Sequence, residues 1–132
     1  MKGLDKRMDI YTALCSKKDS DIAETYMTIK QTDSALALLV RPDDVSDNKE
    51  ANPKFSKKEA DYQQVHNEKQ YFEAALGSLA GDLRKQAELR YIENLGRNAI
   101  CLRLNISTST YQNHRKQILS QLIKIYKIKR TI

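Results

Sequence analysis

The sequence predicts an all-α protein, and three observations carry that prediction. Apolar residues recur at spacings of three, four and seven, the periodicity of helices buried on one side, and no run alternates at every second residue as a strand would. Both prolines, Pro42 and Pro53, fall in one short segment rich in Asp, Asn and Ser, so proline interrupts no other part of the chain. The 132 residues are 30% charged, with seven Tyr, two Phe and no Trp, which suits charge-rich helices around one modest core. The expected layout is a charged N-terminal helical arm leading into a C-terminal helical module.

Residues 1–40 read as the arm. Its helical spacing breaks near Ser16-Lys17-Lys18-Asp19-Ser20, where Asp19 or Ser20 can cap a second helix. The apolar face of that helix runs Ile22, Tyr26, Ile29, Leu36 and Val40, interrupted by Asp33. Residues 41–57 hold both prolines and form the linker. Residues 58–80 form a connecting helix whose stripe of Tyr62, Val65, Phe72, Leu76 and Leu79 is nearly heptad, is broken by Lys69, and stops at Gly81-Asp82. No internal repeat is present.

Charge divides the chain more sharply than hydropathy does. The net charge of +6 resolves into −2 for residues 1–93, with 15 basic against 17 acidic residues, and +8 for residues 94–132, which hold 8 basic residues and no acidic one. Arg97, Arg103, Arg115, Lys116, Lys124, Lys127, Lys129 and Arg130 make up that block. So one-sided a field favours polyanions, at the cost of self-repulsion.

The block lies within residues 81–132, whose layout is that of a helix-turn-helix. Asp82 is expected to cap a helix carrying Leu83, Ala87 and Tyr91, which ends at Asn94-Leu95-Gly96 with Gly96 as the left-handed exit residue. Two helices crossing steeply need a small residue at closest approach, which Cys101 supplies. The tight turn four residues later needs a residue that tolerates positive φ, and Asn105 is the best choice after Gly. Ile100, Leu104, Ile106 and Tyr111 then fill the gap between the helices, and Ser107 caps the second one.

Ile106-Ser107, Thr110-Tyr111, Asn113-His114-Arg115, Ile118 and Leu122 resemble the recognition helix of LuxR-type and sigma factor region 4 domains. Leu89-Arg90-Tyr91-Ile92-Glu93-Asn94-Leu95 resembles the helix that precedes it there. A sigma-like module of this kind after a charged helical arm is similar to small phage and prophage transcriptional regulators of the ArpU and RinA type. The resemblance covers about 45 residues closely. It implies DNA binding and a role in transcription regulation, with RNA polymerase as a second partner.

The second helix, 108–120, divides into two faces. Ser109, Gln112, Asn113 and Lys116 share one, with Thr108 at its start, while Tyr111, Ile118, Leu122 and Ile125 share the other. Gln and Asn pair with adenine through two hydrogen bonds, Lys reaches guanine or phosphate, and Ser and Thr serve either, so Thr108, Ser109, Gln112, Asn113 and Lys116 are the expected base-reading set. Arg97, Arg103, Ser107, Arg115, Lys124 and Lys127 are expected on phosphates, fixing register without reading sequence. His114 is either a phosphate contact or a packed residue. A further stripe, Leu119, Ile123 and Tyr126, calls for a second partner, either the arm of the same chain or the other subunit of a homodimer with two half-sites.

Other function classes find little support. There is no Gly-rich phosphate loop, no nucleophile with a flanking base and no metal-like spacing, His66 and His114 being 48 positions apart, so no enzyme activity, metal or cofactor is expected. Cys15 and Cys101 read as reduced thiols. No apolar run is long enough for a membrane and the N-terminus lacks a signal peptide's apolar stretch, so a cytoplasmic protein without a membrane partner is expected. The alternatives to a regulator are a phage DNA-packaging component such as a small terminase subunit, and a helical adaptor whose basic tail binds nucleic acid without sequence preference.

Overall fold

The computed structural model describes residues 9–39 and 53–131, and within them every regular element is helical. Helix α1 spans Ile10–Ser16, α2 Asp19–Leu39, α3 Pro53–Gly77, α4 Gly81–Ala87, α5 Arg97–Leu104 and α6 Thr108–Thr131; a π-helical turn, Glu88–Ile92, continues α4. Val40 and residues 41–52 of the expected linker lie outside the described residues. The linker's last part is already helix, because α3 starts at Pro53, a residue suited to the first helical position, where the missing N–H would find no partner in any case.

The caps explain where the helices stop, and several differ from expectation. Asp9 opens α1, its carboxylate accepting the Thr12 amide at 3.3 Å and the Thr12 hydroxyl at 2.8 Å. Lys17 closes it in the left-handed conformation, φ 60°, with its N–H on the Leu14 carbonyl at 3.0 Å. Asp19 does not serve α2 as an end-cap: its carboxylate is taken up by Tyr91 and Arg115, 2.8 and 3.0 Å away. Nor does Asp82 cap α4. Ala80 holds that position, and Asp82 sits exposed in the first turn, where a negative charge suits the helix dipole. The left-handed exit residue after the π-helical turn is Asn94, φ 58°; Gly96 is extended, φ −78° and ψ 169°, and is the N-cap of α5. Asn suffices at this exit because its short polar side chain lowers the cost of positive φ, and here it also accepts a 3.0 Å bond from Arg90.

One core joins both halves of the chain. Ile10 and Leu14 of α1, Ile22 and Ile29 of α2, Phe72 and Leu76 of α3, Ala87, and Ile118, Leu122 and Tyr126 of α6 belong to a single buried cluster. Each large apolar side chain so buried contributes about 1.5–3 kcal/mol. The expected arm therefore does not stand apart. It supplies the partner that the stripe Leu119, Ile123 and Tyr126 required, with Leu119 and Tyr126 buried and Ile123 packed at the margin.

Asp33 fits the α2 stripe because it is paired there, 2.9 Å from His66 Nδ1 on α3, and His66 stacks on Tyr62 at 5.1 Å. Lys69, which breaks the α3 stripe, reaches Glu73 one turn on at 3.4 Å, and Tyr26 donates its hydroxyl to the same Glu73. A second, smaller cluster holds the α5–α6 corner together: Leu89, Ile100 and Tyr111, with Leu95, Leu104 and Ile106 packed around them. The end of α4 and the π-helical turn serve both clusters, Ala87 and Tyr91 belonging to the main core and Leu89 to the small one.

Candidate nucleic-acid interface

Helix α5 closes at Asn105, φ 57° and ψ 50°, the left-handed turn residue expected between the two helices. The Ile106 N–H returns to the Cys101 carbonyl at 3.0 Å, which satisfies a carbonyl at the helix end. The Cys101 sulfur lies 3.9 Å from the Ser107 carbonyl oxygen, so a small side chain occupies the place where the chain doubles back. Ile100 and Tyr111 are buried between the helices, with Leu104 and Ile106 packed against them, as their spacing predicted.

Two polar devices fix α6 against the rest of the molecule. The buried Gln86 on α4 donates its amide to the Tyr111 carbonyl at 3.0 Å, and its oxygen accepts from His114 Nδ1 at 3.2 Å. His114 is thus a packed residue. The second device centres on Asp19, whose carboxylate accepts from the Tyr91 hydroxyl at 2.8 Å and from Arg115 Nε at 3.0 Å, with Arg90 at 3.8 Å. Arg115 also donates to the Lys17 carbonyl, so it grips the α1–α2 turn twice. Burial first, then the Asp19 charge, pushes the Tyr91 phenol well above its ordinary pKa, and it stays a donor to that carboxylate. Burial likewise raises Tyr111.

The fold itself engages two of the expected phosphate ligands. Arg115 is drawn inward because Asp19 would otherwise be a half-buried carboxylate short of partners; it holds the fold together. Ser107 uses its hydroxyl as the helix cap, accepting the Thr110 amide at 3.1 Å and donating to Thr110 Oγ1 at 3.0 Å. The remaining expected contacts stay available. Arg97 at the start of α5, Arg103 near its end, and Lys124 and Lys127 on α6 are all exposed.

The expected base-reading residues share the N-terminal half of α6. Thr108, Ser109, Asn113 and Lys116 are exposed, and Gln112 is half-buried at the edge of a polar cleft of about 640 Å3 that it shares with Arg90, Arg97, Asn98 and the paired Asp19 and Arg115. A row of amide, hydroxyl and ammonium groups thus lies along the N-terminal half of α6, neither α5 nor α6 carries a carboxylate, and the Asp19 carboxylate nearby is already paired with Arg115. Such a surface can hydrogen-bond base edges and neutralise phosphates.

Sequence reasoning missed Asp19, Gln86 and Lys17. Gln86 had a signal, since it sits three residues after Leu83 and so on that residue's apolar side. Asp19 had none beyond its place at a helix start, where capping was the simpler reading, and its contact with Arg115 spans 96 residues.

No helix among the described residues is long and apolar enough to cross a membrane, and no group of three or more described His, Cys, Asp or Glu residues is placed to hold a metal ion. Comparison of the chain with protein-family models, with curated proteins and with solved structures found no match.

Proposed function

We propose that this protein is a sequence-specific double-stranded DNA-binding regulator of transcription, which reads the major groove with the α6 segment 108–120. The observation that carries the proposal is the α5–Asn105–α6 corner, with a left-handed turn residue at φ 57°, a Ser107-capped second helix and an outward row of Thr108, Ser109, Gln112, Asn113 and Lys116. In this reading Gln112 and Asn113 discriminate bases, each good bidentate pair being worth about 1–3 kcal/mol. Arg97, Arg103, Lys124 and Lys127 hold phosphates and set the register. The sigma-like resemblance and the ArpU and RinA type of regulator belong to the same proposal, with RNA polymerase as the second partner and homodimerisation as the way to read two half-sites.

The test is enrichment of sheared source-genome DNA by the whole protein near physiological salt, beside a variant in which Gln112, Asn113 and Lys116 are all alanine. Recovery of a few discrete fragments, lost by the triple variant, is the expected result. Uniform recovery by both proteins refutes sequence reading. Ring-sized oligomers in solution would turn the assignment toward a DNA-packaging component.

A further inference from the structure

From the groove beside α6 we infer that the α1–α2 turn is a second DNA contact, in which Lys17 clamps the phosphate strand next to the base pairs read by the N-terminal half of α6. The inference rests on the DNA-binding reading above and extends it to the N-terminal half of the chain.

A groove of about 680 Å3 runs along α6, with Leu119 and Ile123 at its floor and Lys116, Lys124 and Lys127 on its helical wall; Lys17 of the α1–α2 turn forms the opposite wall. No acidic residue lines it. Gln112, Lys116, Ser120, Ile123 and Lys127 follow one another at spacings of four, four, three and four, so the groove continues the base-reading face without a change of side. From Gln112 to Lys127 that stripe is roughly 22 Å long at 1.5 Å per residue. It exceeds the roughly 12 Å width of the major groove, so a duplex read at the front of α6 presents its backbone to the rear. Apolar floor and cationic walls match the two faces of that backbone, deoxyribose carbon and phosphate oxygen.

Two features tie Lys17 to this surface. Arg115 holds the Lys17 carbonyl, so the turn is fixed against α6 by its backbone while the Lys17 side chain remains exposed at the groove. Lys17 also adopts φ 60°, where glycine is the favoured residue and a lysine is strained. A use for the ammonium outside the fold accounts for a lysine at a position that the fold alone would give to glycine.

The experiment measures binding of the full chain to a 30-base-pair duplex of mixed sequence and to a genomic fragment that it enriches, across a range of salt, for wild type, Lys17→Gln and Lys17→Gly. Both variants are expected to bind both duplexes about five- to tenfold more weakly near physiological salt, with the salt slope reduced by about 0.9, the signature of one lost phosphate contact. Lys17→Gly should at the same time unfold at higher urea than wild type, which separates loss of contact from loss of fold. Wild-type affinity and slope in both variants would overturn the clamp and point to an acidic protein segment as the occupant of the groove. Failure of wild type itself to bind either duplex would instead refute the DNA-binding reading.

Discussion

Arg115 separates a phosphate ligand from a structural clamp, and substituting it by alanine decides between them. Its Nε lies 3.0 Å from Asp19, the two side chains being 26% and 14% exposed, and its second bond goes to the Lys17 carbonyl. Hydrogen bonds to charged groups contribute about 1.5–3 kcal/mol, and residual exposure puts this pair near the lower end. Adding about 1 kcal/mol for the carbonyl bond gives a loss of about 2–3 kcal/mol for Arg115→Ala. With a urea dependence of about 2 kcal/mol per molar, the unfolding midpoint should fall by about 1–1.5 M. Asp19→Asn, which keeps an acceptor for Tyr91, completes a double-mutant cycle with an expected coupling of about 1–2 kcal/mol. The clamp is refuted if Arg115→Ala unfolds within about 0.5 kcal/mol of wild type while its DNA affinity, corrected for folded fraction, drops equally on all sequences with a salt slope lower by about 0.9.

Two further expectations concern the core. Tyr126 is buried and its hydroxyl meets no partner among the described residues, while its ring packs edge-on against Tyr71 at 4.8 Å. Tyr126→Phe keeps the ring contact and removes the unsatisfied hydroxyl, so urea denaturation should show a gain of about 1 kcal/mol; a loss of that size would mean that the hydroxyl has a partner. Glu68, which accepts the Ile10 amide at 3.3 Å and lies 3.6 Å from Lys129, has its carboxyl pushed above the ordinary 4.5, chiefly by burial. A raised acid binds its proton more tightly in the folded state, so its stabilising contribution is complete below pH 4.5 and is lost as pH rises through the folded value. Subtracting the Glu68→Gln stability from that of wild type across pH should give a difference that declines above pH 4.5 and then levels; a flat difference would show that burial leaves Glu68 untouched.

The helices were legible because helix periodicity is a local signal and most of this chain obeys it. Ile22, Tyr26 and Ile29 line α2, and Val65, Phe72 and Leu76 line α3, as their spacing required. The α5–Asn105–α6 corner was legible for a further reason: Asn105 and Ser107 act within their own turns, so their chemistry is fixed by neighbours in sequence. The misread ends at Asp82 and Gly96 show the limit of such reasoning. The start of α4 falls at Ala80, which has no capping side chain, and at the other end both Asn94 and Gly96 could take the left-handed turn, so the path of the chain and not the best local residue decides the end. Gly96 became the N-cap of α5 because Asn94 had already made the turn.

What sequence could not supply was the sign of a charge's use. Arg115 and Lys116 are adjacent and carry the same charge, yet the first is turned to Asp19 and the second is exposed. On a helix one step is about 100°, enough to move a side chain from a surface that meets solvent to one that meets the α1–α2 turn. A block of like charges is therefore a mixture, in which the residues facing the core bind the block to the neutral half of the chain and only the rest project outward. Lys129 belongs with Arg115 in the first group, since its ammonium lies over the Tyr71 ring at 4.2 Å and beside Glu68. On the proposed function, fold stability and DNA affinity then draw on different members of one basic block, Arg115 and Lys129 serving the fold and the exposed Lys116, Lys124 and Lys127 the phosphates. Added salt should weaken DNA binding through Lys116, Lys124 and Lys127 long before it weakens the fold, because half-buried pairs are screened far less than exposed lysines.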